Sequence, residues 1–300
     1  MTGPDRDPTL WGPEGKMAEI EKILVVGAGT MGHGIAQAAA AAGYEVLLHD
    51  VSEEFIDRGI GSIAKNLDKG IEKGKVTPEE RDGTLARIKA APELESAARN
   101  CGLFIEAAPE KLDLKESIFQ RLDDSAPPSA ILASNTSSLP IGKIAAATSR
   151  RDRVIGMHFF NPVHIMPLLE LVRGEDTSDE TVDAALEVAR RMGKDPIVVR
   201  DMPGFATSRL GVVLGLEAMR MLEQGVASAE DIDKAMTLGY RHPMGPLKLT
   251  DLVGLDVRLH IAEHLHAVLK SDAFNPPEIL KNFVADGRLG KKSGRGFYDW

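Results

Sequence analysis

"EKILVVGAGTMGHGIAQAAAAAGYEVLLHD", residues 21–50, sets three signals in a row. "ILVV" is a continuous apolar run, the pattern of a strand covered on both faces of a parallel sheet. Gly27-x-Gly29-x-x-Gly32 follows at once, and the alanine-rich stretch predicts a helix from about Thr30 to Ala42. "EVLLHD" is a second strand ending on Asp50. A glycine motif alone is weak, but a strand before it, a helix after it and an acidic residue about 20 positions on are the context of a dinucleotide site. Gly27 permits the tight turn, Gly29 lets the backbone approach a pyrophosphate, and Gly32 lets helix and strand pack closely. Ala28, Thr30 and Met31 complete the loop, and the helix N-terminus offers free N–H groups and partial positive charge to the phosphates. Asp50 would accept hydrogen bonds from both ribose hydroxyls and repel a 2′-phosphate, so the expected cofactor is NAD rather than NADP.

The alternation continues downstream. Strands are predicted at 103–108, 130–134, 153–159, 167–172 and 196–200, with helices at about 112–123 and 140–146 and a helical pattern in "DETVDAALEVARRMGK". Strands alternating with helices imply right-handed crossovers and a parallel sheet, with ligands beyond the C-terminal strand ends. Glu110, "SNTSS" (134–138) and His158 fall at such ends. After Asp201 only helical periodicity remains: "PGFATSRLGVVLGLEAMRMLEQG", a capped "SAEDIDKAMTLG", then "LTDLVGLDVRLHIAEHLHAVL" and "PPEILKNFVADG" as two more helices. The expected fold is α/β: a Rossmann-type, doubly wound, mostly parallel sheet over residues 19–201, then an all-helical domain over 202–300. Residues 1–18, rich in Pro and Gly, read as a disordered tail without the apolar core of a signal peptide.

A net charge of −9 argues against a nucleic-acid or anionic-membrane binder, and no apolar run approaches the ~18 residues of a membrane helix. The single cysteine, Cys101, excludes an internal disulfide and points to a reducing, cytoplasmic setting. The Leu-, Met- and Val-rich helical block is expected to bury a face against a second copy as a homodimer. His260, His264 and His266 share one helix, but no carboxylate or cysteine set with ligand spacing accompanies them, so no metal is expected. "MHFFNPVHIMPLLEL" (157–171) sets His158 and Glu170 in stretches that read as buried, where an ionisable group is costly unless paired. Either they satisfy each other or they do acid–base work.

With "GAGTMGHGIAQ", "SNTSS", "HFFNPV", "PLLELV", "PGFATSRL", "HPMGPLKLTDLVGLD" and "GKKSGRGFYDW" in order from about Glu21 to Trp300, the chain resembles the L-3-hydroxyacyl-CoA dehydrogenases, closest to their short-chain, 3-hydroxybutyryl-CoA branch. Oxidising a secondary alcohol needs a base for the hydroxyl proton, and a neutral histidine oriented by a carboxylate suits that task. His158 and Glu170 then read as a catalytic dyad, with His164 structural or a wall of the site. The resemblance implies that Ser137 holds the substrate C3 oxygen beside the cofactor, and that Glu110, Lys115, Asn161 and Lys292 contact the cofactor. A capped loop is the plainer reading of "SNTSS". Lys65, Lys69 and Lys73 recur every four residues after Asp50. They form either a solvated face or, as the resemblance implies for Lys73 together with Asn66, a site for the acyl-CoA. Ser208 stands where the family places an asparagine facing the substrate, and is assigned to the catalytic set in its stead. Two alternatives stay open: a dehydrogenase of a free hydroxy acid, resembling the carnitine and gulonate dehydrogenases, and a non-catalytic NAD-binding protein.

Overall fold

The computed structural model describes residues 20–300, so the expected tail lies outside the described residues. The chain divides after Asp201 into two compact units.

The first unit runs β1 (Lys22–Val26), α1 (Thr30–Ala41), β2 (Glu45–His49), α2 (Glu53–Glu72), α3 (Pro78–Ala86), β3 (Ile88–Ala90), α4 (Leu94–Ala98) and β4 (Leu103–Glu106). It continues through α5 (Leu112–Ser125), β5 (Ile131–Ser134), α6 (Ile141–Ala145), β6 (Val154–Phe159), β7 (Leu168–Arg173), α7 (Asp179–Arg191) and β8 (Asp195–Arg200). One sheet holds all eight strands in the order β3-β2-β1-β4-β5-β6-β7-β8. The order reverses between β1 and β4, which opens a crevice beyond their C-terminal ends. β1, β4, β5 and β6 are buried almost throughout, as their unbroken apolar runs require. Cys101 is buried just before β4, and burial raises its thiol pKa to about 11.

The sheet is mostly parallel, as expected, and two of its details were not foreseen. β3 is an unforeseen edge strand of three residues, of which only Ile88 is buried, too short for a periodic signal. β7 runs antiparallel to β6, while every other neighbouring pair is parallel. Residues 160–167 join the two strands without a helix, and a parallel crossover needs a dozen residues or more.

The second unit is helical: α8 (Thr207–Glu223), α9 (Ala229–Lys234), α10 (Pro246–Val253), α11 (Leu255–Leu269) and α12 (Glu278–Ala285). Its core joins Val212, Leu216 and Met219 of α8 to Leu247, Leu255, Ala262, Leu265 and Leu280. The stretch expected as one helix from Leu249 onward is two, because Gly254 adopts φ 106° and stops α10 while opening α11. The C-terminal segment folds back onto α10. Asp251, fully buried, accepts from the backbone N–H groups of Phe297 and Tyr298 at 2.9 Å each and from the Trp300 indole at 3.0 Å. Asp233 caps the start of α10 through Leu247 and Lys248 and accepts from the Tyr298 hydroxyl at 2.7 Å. His266, from the histidine-bearing α11, bonds the Ser271 carbonyl through Nδ1 at 3.0 Å.

Arg258 on α11 is 7% exposed, and its Nε has no hydrogen-bond partner among the described residues. Burial pulls its pKa down. A largely buried guanidinium whose Nε is unpaired carries a desolvation cost, so Arg258→Met is expected to stabilise the protein by about 1 kcal/mol or more in urea unfolding. Destabilisation would mean that an acceptor outside this chain pairs with Arg258.

Candidate active site

The glycine loop joins β1 to α1. Gly27 adopts φ 104°, and a Cβ there would lie 2.7 Å from the Ala107 carbonyl oxygen. A Cβ on Gly32 would lie 1.7 Å from the Gly27 oxygen. Packing within the protein therefore demands both glycines. Gly29 differs: nothing of the protein lies within 4 Å of its would-be Cβ, and it forms the N-cap of a helix that no side chain caps. Open space in front of uncapped helix amides is what a pyrophosphate cradle needs. Asp50 follows β2, and its carboxylate accepts from Ala28 N and Val51 N at 2.7 Å each, which ties it to the same loop. The residues thus fit a bound NAD.

The "SNTSS" turn leaves β5 on the other side of the crevice. Asn135 accepts from the Phe159 N–H at 2.9 Å and anchors the turn to the end of β6. Glu110 accepts from Thr136 Oγ1 at 2.5 Å, Ser137 N at 2.9 Å and Ser138 N at 3.2 Å. Burial pushes the Glu110 pKa up, but the positive Lys115 and the Thr136 and Ser137 hydrogen bonds outweigh it and hold the carboxyl below its ordinary range. Lys115 is itself buried. Its ammonium reaches Glu106 at 2.6 Å and Glu110 at 3.3 Å, so it supports the turn from beneath.

His158 and Glu170 stand directly opposite in the β6–β7 register, with His158 Nδ1 2.7 Å from Glu170 Oε2. Glu170 is fully buried and the His158 side chain is 10% exposed. The Phe160 ring lies 4.5 Å from the imidazole, centroid to centroid.

Beside the crevice, α1, the end of α2, residues 161–167 and the end of α7 enclose a cavity of about 910 Å³. Asn161, Asn66, Lys69, Lys73, His33 and His164 are among its lining. Asn66 donates to Gln37 at 3.2 Å and so ties α2 to α1. The basic stripe is regrouped here. Lys65 is not among the lining residues, whereas Lys75 and Lys194 join Lys69 and Lys73. Lys73 is the C-cap of α2, and the chain turns at Gly74 with φ 63°, so the every-fourth spacing stops there and Lys75 returns to the cavity off that register. His164 has its pKa lowered by burial, with the positive charge of His33 and Lys194 adding to the effect. Glu106, Lys75 and Lys194 are polar groups that motif reading missed, while Asn135 was read only as part of the "SNTSS" turn. Only Glu106 left a signal, as the lone charge in the apolar strand of "LFIEAA".

Ser208 and Lys292 belong to the helical unit. Ser208 is half-buried in the first turn of α8. Lys292 pairs with Asp256 at 2.5 Å.

Comparison with known proteins bears on the same elements. The profile described as "3-hydroxyacyl-CoA dehydrogenase, NAD binding domain" matches residues 22–202, and that of the "3-hydroxyacyl-CoA dehydrogenase, C-terminal domain" matches residues 204–300. The chain is 47% identical over 282 residues to a probable 3-hydroxybutyryl-CoA dehydrogenase of Bacillus subtilis, covering 94% of this chain and 98% of that one. It is 45% identical over 283 residues to the 3-hydroxybutyryl-CoA dehydrogenase of Bradyrhizobium diazoefficiens, covering 94% and 96%. The crystal structure of (S)-3-hydroxybutyryl-CoA dehydrogenase from Ralstonia eutropha superposes with a TM-score of 0.91 at 43% identity, covering 94% of this chain and 99% of that one. With both domains matched in order and an NAD site in the first, the chain belongs to the 3-hydroxyacyl-CoA dehydrogenase family and is an NAD-dependent dehydrogenase.

Proposed function

We propose that this enzyme interconverts a short-chain L-3-hydroxyacyl-CoA, 3-hydroxybutyryl-CoA, and its 3-keto form, with His158 as the base and Glu170 orienting it. The 2.7 Å contact between His158 Nδ1 and Glu170 carries the reading. With Glu170 accepting at Nδ1, the proton sits there and Nε2 keeps its lone pair for the substrate hydroxyl. Bound NAD supplies the hydride acceptor. His158 takes the hydroxyl proton, Glu170 stabilises the imidazolium that forms, and Ser137 holds the C3 oxygen. In the reverse direction His158 returns the proton. The test is steady-state NADH oxidation with acetoacetyl-CoA, longer 3-ketoacyl-CoAs and free keto acids: turnover of acetoacetyl-CoA is expected, and turnover of the free acids alone would overturn the reading.

Asp50 should favour NADH over NADPH by at least about tenfold in kcat/KM, roughly 1.4 kcal/mol, because its carboxylate opposes a 2′-phosphate. Equal use of both would show that Asp50 serves only to brace Ala28.

The acyl-CoA nucleotide is assigned to the cavity lined by Asn66, Lys69, Lys73 and Lys75, a basic patch in an acidic protein. Lys73→Glu should raise KM for acetoacetyl-CoA several-fold more than for a truncated pantetheine thioester, and added salt should shrink the difference. Equal effects on both substrates would make the lysines a solvated face.

A homodimer through the helical unit is part of the same reading. Leu210, Leu238, Tyr240, Leu252 and Val268 are large apolar side chains exposed on that unit, and light scattering of the purified enzyme checks it. Cytoplasmic placement rests on the cysteine usage.

A further inference from the structure

Glu106 is the last residue of β4 and is fully buried, yet none of the chemistry above uses it. Its Oε1 accepts from Lys115 Nζ at 2.6 Å and from Ala108 N at 2.7 Å. Its Oε2 accepts from the hydroxyl of Ser134, the last residue of β5, at 2.6 Å. Ser134 Oγ accepts in turn from Thr136 N at 3.2 Å. The Glu106 backbone oxygen accepts from Asn135 N at 2.7 Å. One buried carboxylate thus ties the end of β4, the start of the "SNTSS" turn and the first turns of α5. It also sits under the glycine loop, since Ala107 and Ala108 are the atoms against which Gly27 packs. From Glu106 the path continues through Lys115 to Glu110, and from Glu110 to the backbone N–H groups of Ser137 and Ser138.

Removing an ion pair from water is expensive, and apolar residues of the same shape would close the core at least as well. A buried pair at a sheet end whose further partners are loop backbone, a hydroxyl and the Glu110 carboxylate that holds the next turn serves orientation. We propose that Glu106 and Lys115 are positioning residues: their buried pair clamps the ends of β4 and β5 and, through Glu110, fixes Ser137 in register with His158. The inference rests on the reading of His158 and Ser137 as the groups that handle the substrate. Lys115 carries a second duty. The groups facing Glu110 are Lys115 from α5, Glu106 beyond it, and the hydroxyls and amides of Thr136, Ser137 and Ser138. Lys115 is the cation among them, and it opposes the burial that would otherwise raise the Glu110 pKa. Without it, Glu110 would take up a proton at higher pH and release the Ser137 and Ser138 amides.

The test uses Glu106→Gln, Lys115→Met and the double variant, each as the full-length enzyme. Both single variants should lower kcat with acetoacetyl-CoA by about tenfold or more, since small misplacements of reacting groups are costly. In Glu106→Gln, NADH affinity, read by fluorescence titration, should stay within about threefold, because the pyrophosphate loop keeps its own contacts. In Lys115→Met the acid limb of the pH–rate profile should move to higher pH as Glu110 loses its cation. Hydrogen exchange at the amides of Ser137 and Ser138 should quicken in the same variant. The double variant removes both charges. It should recover the thermal stability lost by either single variant without recovering kcat.

Parent-like kcat and amide protection in a folded Lys115→Met, or a double variant that regains kcat along with its stability, would show that the pair serves folding alone. Should a single variant fail to fold, the double variant decides the matter. If instead His158→Gln keeps full turnover, the dyad reading falls, while amide exchange at Ser137 still judges the clamp.

Discussion

His158→Gln is expected to lower kcat by about 10² or more while leaving NADH affinity nearly unchanged, since positioned general bases contribute roughly 10²–10⁴-fold. His158 is held at Nδ1 by Glu170 at 2.7 Å and flanked by Phe160, and Nε2 is the nitrogen proposed to meet substrate. Glutamine can still bond Glu170 through its amide but offers no basic nitrogen, so the substrate proton has no acceptor. Because the glycine loop and Asp50 are untouched, fluorescence titration with NADH should report a parent-like dissociation constant. Glu170→Gln should also lower kcat, by about tenfold or more, because the imidazolium loses its counter-charge. Near-normal turnover in His158→Gln would end the dyad hypothesis.

Asp251→Ala should destabilise the helical unit by about 3–5 kcal/mol. Three donors would lose a charged acceptor, each such bond being worth roughly 1.5–3 kcal/mol with partial compensation by water. The donors are the backbone N–H groups of Phe297 and Tyr298 and the Trp300 indole, all converging on a fully buried carboxylate. Asp251→Asn keeps one accepting oxygen and should cost less than the alanine variant. Chemical denaturation followed by circular dichroism separates the two. An alanine variant as stable as the parent would show that the C-terminal segment holds α10 by apolar contact alone. "GFYDW" was read in the sequence as part of a family signature, and in the structure these residues close the helical unit.

Residues 21–50 were legible because two strands, a helix and three glycines each obey a local rule, and the rules agree. The His158–Glu170 pair was legible for the same reason: two ionisable residues in apolar strands invite pairing. What the sequence concealed depends on three-dimensional closure. The reversal at β7 turns on how far residues 160–167 can reach. The break at Gly254 turns on one backbone angle inside an otherwise helical pattern. Lys75 joins Lys69 and Lys73 only because the chain turns at Gly74 after α2 ends. The Glu106–Lys115 pair joins residues nine positions apart through the core, where no periodicity reports it. The division after Asp201, by contrast, coincides with a change of texture from strand alternation to helix alone.

The antiparallel pairing of β6 and β7 has a consequence for how the proposed catalytic pair tolerates motion. His158 and Glu170 are direct register partners on two paired strands, so their backbone separation is set by the ladder for as long as the sheet stays closed. Ser137 and Asn161 sit on connecting segments, the class of structure that opens first in local unfolding. The proposed proton-transfer pair is thereby carried by paired strands. The residues proposed to hold substrate and cofactor lie where local opening costs less.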